Sequence, residues 1–324
     1  VVLEPQQATQ PRPASPIWRR LLGLALLAGA VAYLWYTLRG EVDAMKVALA
    51  RISALNLVAA TLCALAMCYL KAIYHRTLLH RISGRSEHLD AVVPAYTQAQ
   101  VVRYLPGKVW GLLHQANQLS NLFTPQEVML ANLLQMLATN LMAVGFIVSI
   151  IATVISGNAW WLAGVPSTLA AMEYLHRNPM LERWIVRMAI VLSRGRFGTR
   201  SLAETPIAPI RWKATSLLAA EWVAFYAMWL FAADGWMPIE SIIAVGTWYA
   251  AASLLAILAI AVPAGLVVRE AIFVSLGGLA AYPQGMLLVL AAAMRIIMTL
   301  GELACIPVAM LVRALRRRNR PGRP

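Results

Sequence analysis

The sequence predicts an all-α, polytopic helical bundle embedded in a membrane, and three observations carry that reading. The chain is 60% hydrophobic and 13% charged, with a mean hydropathy of +0.65, well outside the range of a soluble domain. Apolar stretches of membrane-crossing length recur along it. Basic residues cluster between those stretches, as positive-inside loops do. The net charge of +14 therefore points to orientation and to anionic lipid headgroups, and no nucleic-acid partner is expected.

Residues 1–16 read as a polar, proline-containing tail without a core of its own. Residues 17–312 form the expected single transmembrane domain. Its first span, Leu21–Leu38, is flanked by Arg19, Arg20 and Arg39. It is too long for a signal-peptide core and is expected to be retained. Ile52–Leu70 is the second span and ends at Lys71. The following stretch to Asp90 holds Lys71, Arg76, Arg81 and Arg85 and is placed in the cytoplasm. Val128–Ile155 is the third long helix. Trp160–Tyr174 is a short fourth span with Trp160 and Trp161 as interfacial anchors. Residues 173–213 form a cytoplasmic linker with eight Lys/Arg between Arg177 and Lys213, and Leu181–Leu192 within it is expected to lie amphipathically on the membrane. Ala214–Ala233 and Ile239–Ala261 are further spans, joined at Asp234-Gly235-Trp236. Met286–Val312 is the last, and residues 313–324 are a basic cytoplasmic tail.

Two proline-glycine breaks interrupt this pattern. The first is RYLPGKVW, Arg103–Trp110, containing Pro106 and Gly107. The second is VPAGLVVRE, Val262–Glu270, containing Pro263 and Gly265. Each glycine lies 18 residues before a Pro-Gln pair, Pro125-Gln126 and Pro283-Gln284, that opens a long apolar helix. Broken backbone persists at membrane depth only where its polar groups find partners, commonly around a polar cavity. The six tail arginines settle a parity question, since seven clean spans would leave them outside. Counting the second break as a crossing gives about eight crossings, both termini in the cytoplasm, and an inverted repeat of about 52–155 and about 214–312. The rival reading is a re-entrant second break with the tail outside.

Charges at membrane depth are costly and mark candidate sites. Arg103, Lys108, Arg269 and Arg295 are the candidate headgroup-binding cations, because a guanidinium fork pairs bidentately with phosphate. Glu221, Glu270 and Glu302 are candidate coupling carboxylates, or else members of a salt-bridge network that fixes helix register. Arg295 and Glu302 are seven apart, two turns along one face, with room for a partner between them. Asn132, Gln135 and Thr139 line one side of the third long helix, either as a cavity wall or as interhelical hydrogen bonders. Cys63, Cys68 and Cys305 have no metal-ligand spacing and read as small buried hydrophobes. Glu41 with Asp43, and Glu87 with His88 and Asp90, read as solvated loop residues. No nucleotide-binding or hydrolase motif occurs, so no cofactor, metal or enzymatic activity is expected.

RYLPGKVW followed by HQANQL, His114–Leu119, then PAGLVVREAIFV, Pro263–Val274, and a final helix with Arg295 and Glu302 together resemble the lysylphosphatidylglycerol synthase transmembrane family, also called the flippase-like domain family. The resemblance runs from about the second span to the last helix. It implies a multi-pass protein of the bacterial plasma (inner) membrane that handles a lipid with a polar headgroup. This chain carries no soluble synthase-like domain after the last helix, so lipid aminoacylation is not expected of it. Where the commoner family pattern has a second glycine, this chain has Val267. The function so implied is a flippase-like lipid translocase for a phospholipid, an aminoacylated lipid or a lipid-linked glycan. The alternative is a membrane-embedded transferase or an accessory subunit in glycolipid, hopanoid or lipid-linked glycan biosynthesis. Expected partners are membrane lipids with anionic or glycosylated headgroups and, for the accessory reading, a biosynthetic enzyme.

Overall fold

A computed structural model describes residues 53–85, 91–102, 110–192, 212–258, 268–279 and 282–318, with scattered positions between 32 and 51. Among these residues the structure is helical throughout. The helices are α1 (Ala54–Ser83), α2 (Val92–Val102), α3 (Trp110–Gln118), α4 (Pro125–Ser156), α5 (Gly164–Arg177), α6 (Pro179–Leu192), α7 (Lys213–Ala232), α8 (Ile239–Leu258), α9 (Val268–Leu279) and α10 (Gln284–Arg318). A 3-10 turn at Ala159–Ala163 leads into α5. The first span at 21–38 lies almost wholly outside the described residues. The proline-glycine core of each break lies outside them too, with Arg103, Pro106, Gly107, Lys108, Pro263 and Gly265.

Five described helices, α1, α4, α7, α8 and α10, are long and apolar enough to cross a membrane. At 1.5 Å per residue the 30 residues of α1 reach about 45 Å. Large apolar side chains face outward along them, among them Leu55, Val58 and Leu62 on α1 and Leu141, Val144 and Val148 on α4. Helices apolar on both faces are those of a membrane protein. The 14-residue α5 is shorter, about 21 Å, and is not of crossing length by itself.

Local signals set the helix ends. Thr124 caps α4 through a capping box. Its Oγ1 accepts from the Glu127 N–H at 3.3 Å, and the Glu127 carboxylate accepts from the Thr124 N–H at 2.7 Å. Pro125 occupies the first helical position, where no donor is lost. α1 runs past Lys71, where the second span was expected to end, because nothing breaks it before Gly84. That glycine closes the helix in the left-handed region at φ 67°.

Side-chain pairs fix the helix directions. Asn56 with Asp234 and Lys71 with Glu221 make α7 antiparallel to α1. Arg85 with the Leu122 carbonyl and His75 with Gln135 make α4 antiparallel to α1. α5 runs back along α4, with Thr168 against Gly145 and Ser149 against Gly164. α8 returns along α7, with Tyr226 bonded to Thr247 and Trp229 against Gly246. α9 and α10 form an antiparallel pair, with Gly277 against Leu287 and Glu270 bonded to Arg295.

α10 lies parallel to α1 along a seam of small residues. Ala64 faces Gly301 and Cys68 faces Cys305, one turn apart, and a further turn along Ala72 and Ala309 fall in one buried cluster with Val93 and Tyr96. A Cβ on Gly301 would sit 2.6 Å from the Ala64 Cβ and 2.9 Å from the Leu65 nitrogen, so only glycine fits that crossing. The two helices that follow the Pro-Gln pairs, α4 and α10, therefore run in opposite directions.

The buried apolar side chains form two large clusters. One gathers Tyr74, Leu78, Leu134, Met142 and Leu218 around α1, α4 and α7. The other gathers Ala64, Trp229, Tyr249, Phe273 and Met294 around α1, α7, α8, α9 and α10.

Candidate functional site

Between the two clusters lies a cavity of about 180 Å³, room for several waters. Its lining includes Lys71 from α1, Asn140 from α4, Glu221, Trp222 and Phe225 from α7, Tyr249 and Ser253 from α8, and Met298 from α10. Antiparallel packing of α1 on α7 puts Lys71 Nζ 3.3 Å from Glu221 Oε1, with the carboxylate side chain 8% exposed and the lysine 30% exposed.

One wall of this cavity, the Tyr249 ring, also receives the Arg269 guanidinium at 4.7 Å from its centroid. Arg269 opens α9 beside Glu270, and the Arg269 Nη2 donates to Glu270 Oε1 at 2.9 Å. Arg295 Nη1, arriving from α10, donates to the same oxygen at 2.8 Å. Glu270 Oε2 is buried and carries no hydrogen bond of its own. Of the candidate residues, Arg269, Glu270 and Arg295 thus meet at one point. Arg269 and Glu270 leave the helix in different directions as neighbours, and reach each other because the arginine stem is long enough to turn its head back. Glu221 lines the same cavity as Tyr249. Glu302 is buried beside the Gly301 crossing, close to Cys305. Its sequence-level partner in position, Arg295, is instead engaged by Glu270 from α9.

A second polar network runs through α3, α1 and α4. Asn132 Nδ2 donates to Gln115 Oε1 at 3.0 Å, which turns the Gln115 amide N–H toward His75 Nε2 at 2.7 Å. His75 Nε2 accepts, so its Nδ1–H donates to Gln135 Oε1 at 2.8 Å. The Gln135 amide then donates to the Tyr96 hydroxyl and the Lys71 carbonyl, at 2.9 and 3.2 Å. Asn132 and Gln135 therefore bond between helices, and Asn140 is the α4 amide on the cavity.

A third network closes the end of α1 on α5, α6 and α7. Arg81 Nη1 donates to Glu182 Oε1 at 2.8 Å, and its Nη2 donates to the His176 carbonyl at 3.1 Å. His176 Nε2 meets the Tyr74 hydroxyl at 3.0 Å, and its Nδ1 meets Thr215 Oγ1 at 3.2 Å. Thr215 in turn donates to Glu173 at 2.8 Å. Burial, then the Arg81 charge, pushes the His176 imidazole down to about 4 despite Glu173 nearby. Burial would raise the Glu173 carboxyl, but Arg177, the Thr215 hydroxyl and the Trp212 N–H outweigh it and hold it below its ordinary value. Burial raises Glu182 above its ordinary value, against the pull of Arg81. α6 spans residues 179–192, close to the expected amphipathic segment. Glu182 turns inward while Met180 and Trp184 face out, at 80% and 58% exposed.

Lys71, His75, Arg81 and Tyr249 were not singled out as site residues by the sequence. Lys71 was read as the end of an apolar run, although a lysine within helix reach of an apolar span is itself a signal of a buried partner. Among the described residues no group of three or more His, Cys, Asp or Glu is placed to hold a metal. Compared with protein-family models and with curated proteins, the chain matches none.

Proposed function

We propose that this chain is a flippase-like lipid translocase, which shelters a polar headgroup among α1, α7, α8, α9 and α10 while the acyl tails stay in lipid. The observation that carries the reading is the convergence of Arg269 and Arg295 on one Glu270 oxygen, beside a tyrosine that walls a partly open, largely apolar cavity holding one lysine and one glutamate. Two guanidiniums on one carboxylate leave a net positive charge next to a roomy site. That is the chemistry for a phosphate-bearing headgroup. Arg103 and Lys108, in the first break and outside the described residues, are the further candidate headgroup cations.

The alternation of helix directions supports the topology that goes with it. α1 and α10 both end in basic residues and run the same way, so both basic ends face the cytoplasm. The 3-10 turn at Ala159–Ala163 together with α5, and the segment containing α9, return the chain across the bilayer in this reading. With the span at 21–38 this makes eight crossings and two cytoplasmic termini in a bacterial plasma membrane.

The test is reconstitution into vesicles with headgroup-labelled lipids, following label that becomes accessible to a membrane-impermeant quencher. The native chain is expected to move at least one lipid class faster than protein-free vesicles, and Arg295→Ala to slow it at least tenfold. Equal rates for native chain, variant and empty vesicles across every lipid sink the proposal.

A further inference from the structure

We propose that the Lys71–Glu221 cavity is a subsite for a zwitterionic phospholipid headgroup, one that carries an ammonium and a phosphate. This rests on the translocase reading and narrows its substrate class. The cavity holds one charge of each sign, on two facing helices, with Glu221 only 8% exposed at its side chain. Lys71 already places an ammonium against Glu221, next to the Trp222, Phe225 and Tyr249 rings. A carboxylate beside aromatic faces is the chemistry of an ammonium site, and the lysine acts there as a tethered stand-in for a ligand.

Charge pairing decides between headgroups. An anionic headgroup that draws Lys71 away leaves a buried Glu221 unpaired. A purely cationic one takes Glu221 and leaves Lys71 unpaired. Stranding the buried Glu221 is strongly unfavourable, and freeing the 30% exposed Lys71 is less so. A zwitterion exchanges one internal pair for two new ones, ligand ammonium on Glu221 and Lys71 on phosphate, so no charge is stranded. The neutral polar groups suit both ends. The Ser253 hydroxyl donates to the Tyr249 carbonyl at 2.8 Å, which leaves its oxygen to accept from an ammonium. The Asn140 amide has N–H groups to offer a phosphate.

The experiment is equilibrium binding to the detergent-solubilised full chain by isothermal titration calorimetry. The probes are short-chain phosphatidylethanolamine, short-chain phosphatidylglycerol and tail-free phosphoethanolamine. The native chain is expected to bind the ethanolamine lipid at least tenfold more tightly than the glycerol lipid. Glu221→Gln frees Lys71 and is expected to reverse that order. The exchanged pair Lys71→Glu/Glu221→Lys keeps both charges and is expected to keep the native order. If tail-free phosphoethanolamine matches the lipid, the subsite stands and its ligand is a soluble phosphate ester. Equal affinity of the native chain for both lipids, or an unchanged order in Glu221→Gln, overturns the proposal. Because binding is read without transport, a chain that shows this preference but moves no lipid in vesicles fails the translocase reading alone.

Discussion

Arg81 and Glu182 form a salt bridge at 2.6 Å whose side chains are 1% and 7% exposed, tying the last turn of α1 to the first turn of α6. A pair this buried adds little over an apolar pair of the same shape, yet removing one member strands the other. Arg81→Met is expected to lower stability by about 3 to 5 kcal/mol. Arg81→Met/Glu182→Met is expected to recover most of that loss. Thermal unfolding in detergent, with the three chains side by side, measures both.

His176 gives the fold a pH dependence of known sign. Its imidazole titrates near 6.5 when unfolded and is pushed down to about 4 in the fold. The unfolded chain therefore takes up a proton first as pH falls through that window, and stability drops with it. The full drop is about 3 kcal/mol, at about 1.4 kcal/mol per pH unit. Glu173, held below its ordinary value, adds a further loss as it protonates at the acid end. Melting temperatures between pH 7 and pH 4 are expected to fall more steeply for the native chain than for His176→Gln, which lacks the His176 share.

The seam between α1 and α10 tolerates no added atom at Gly301. Gly301→Ala places a methyl 2.6 Å from the Ala64 Cβ and 2.9 Å from backbone, and backbone does not yield as a side-chain tip does. The expected cost is about 1 to 3 kcal/mol. Gly301→Leu is expected to prevent recovery of a monodisperse protein, read by size-exclusion chromatography in detergent.

One turn along the same seam, Cys68 and Cys305 are buried and within side-chain contact of each other. Mild oxidation with iodine is expected to join them within one chain. With a protease site inserted between residues 193 and 211, the two fragments then stay together on a denaturing gel until reduced. Cys305→Ser abolishes the link, whereas Cys63→Ser does not. Separation of the oxidised native fragments would contradict the parallel placement of α1 and α10.

The long helices are legible in the sequence because each is a run of apolar residues closed by a local signal, such as Thr124 before α4 or Gly84 after α1. The charge pairs are not. Lys71 and Glu221 are far apart in the chain, and nothing local to either one names the other. Lys71 also ends an apolar run, so counting hydrophobic residues stops α1 there, whereas in the fold the helix continues with its lysine neutralised from α7. Arg269 and Glu270 show the converse case. Helical geometry separates their stems, and the length of the arginine brings its head back. For Asn132 and Gln135 the pattern was equally compatible with a cavity wall and with interhelical bonding, and only the position of His75 decides it.

Tyr249 belongs to two structures at once. One face of its ring takes the Arg269 guanidinium, and the residue also walls the Lys71–Glu221 cavity. A rigid ring cannot follow one neighbour without altering its contact with the other. A change at this one residue therefore reaches both places: Tyr249→Ala removes the aromatic face beneath Arg269 and one wall of the Lys71–Glu221 cavity together.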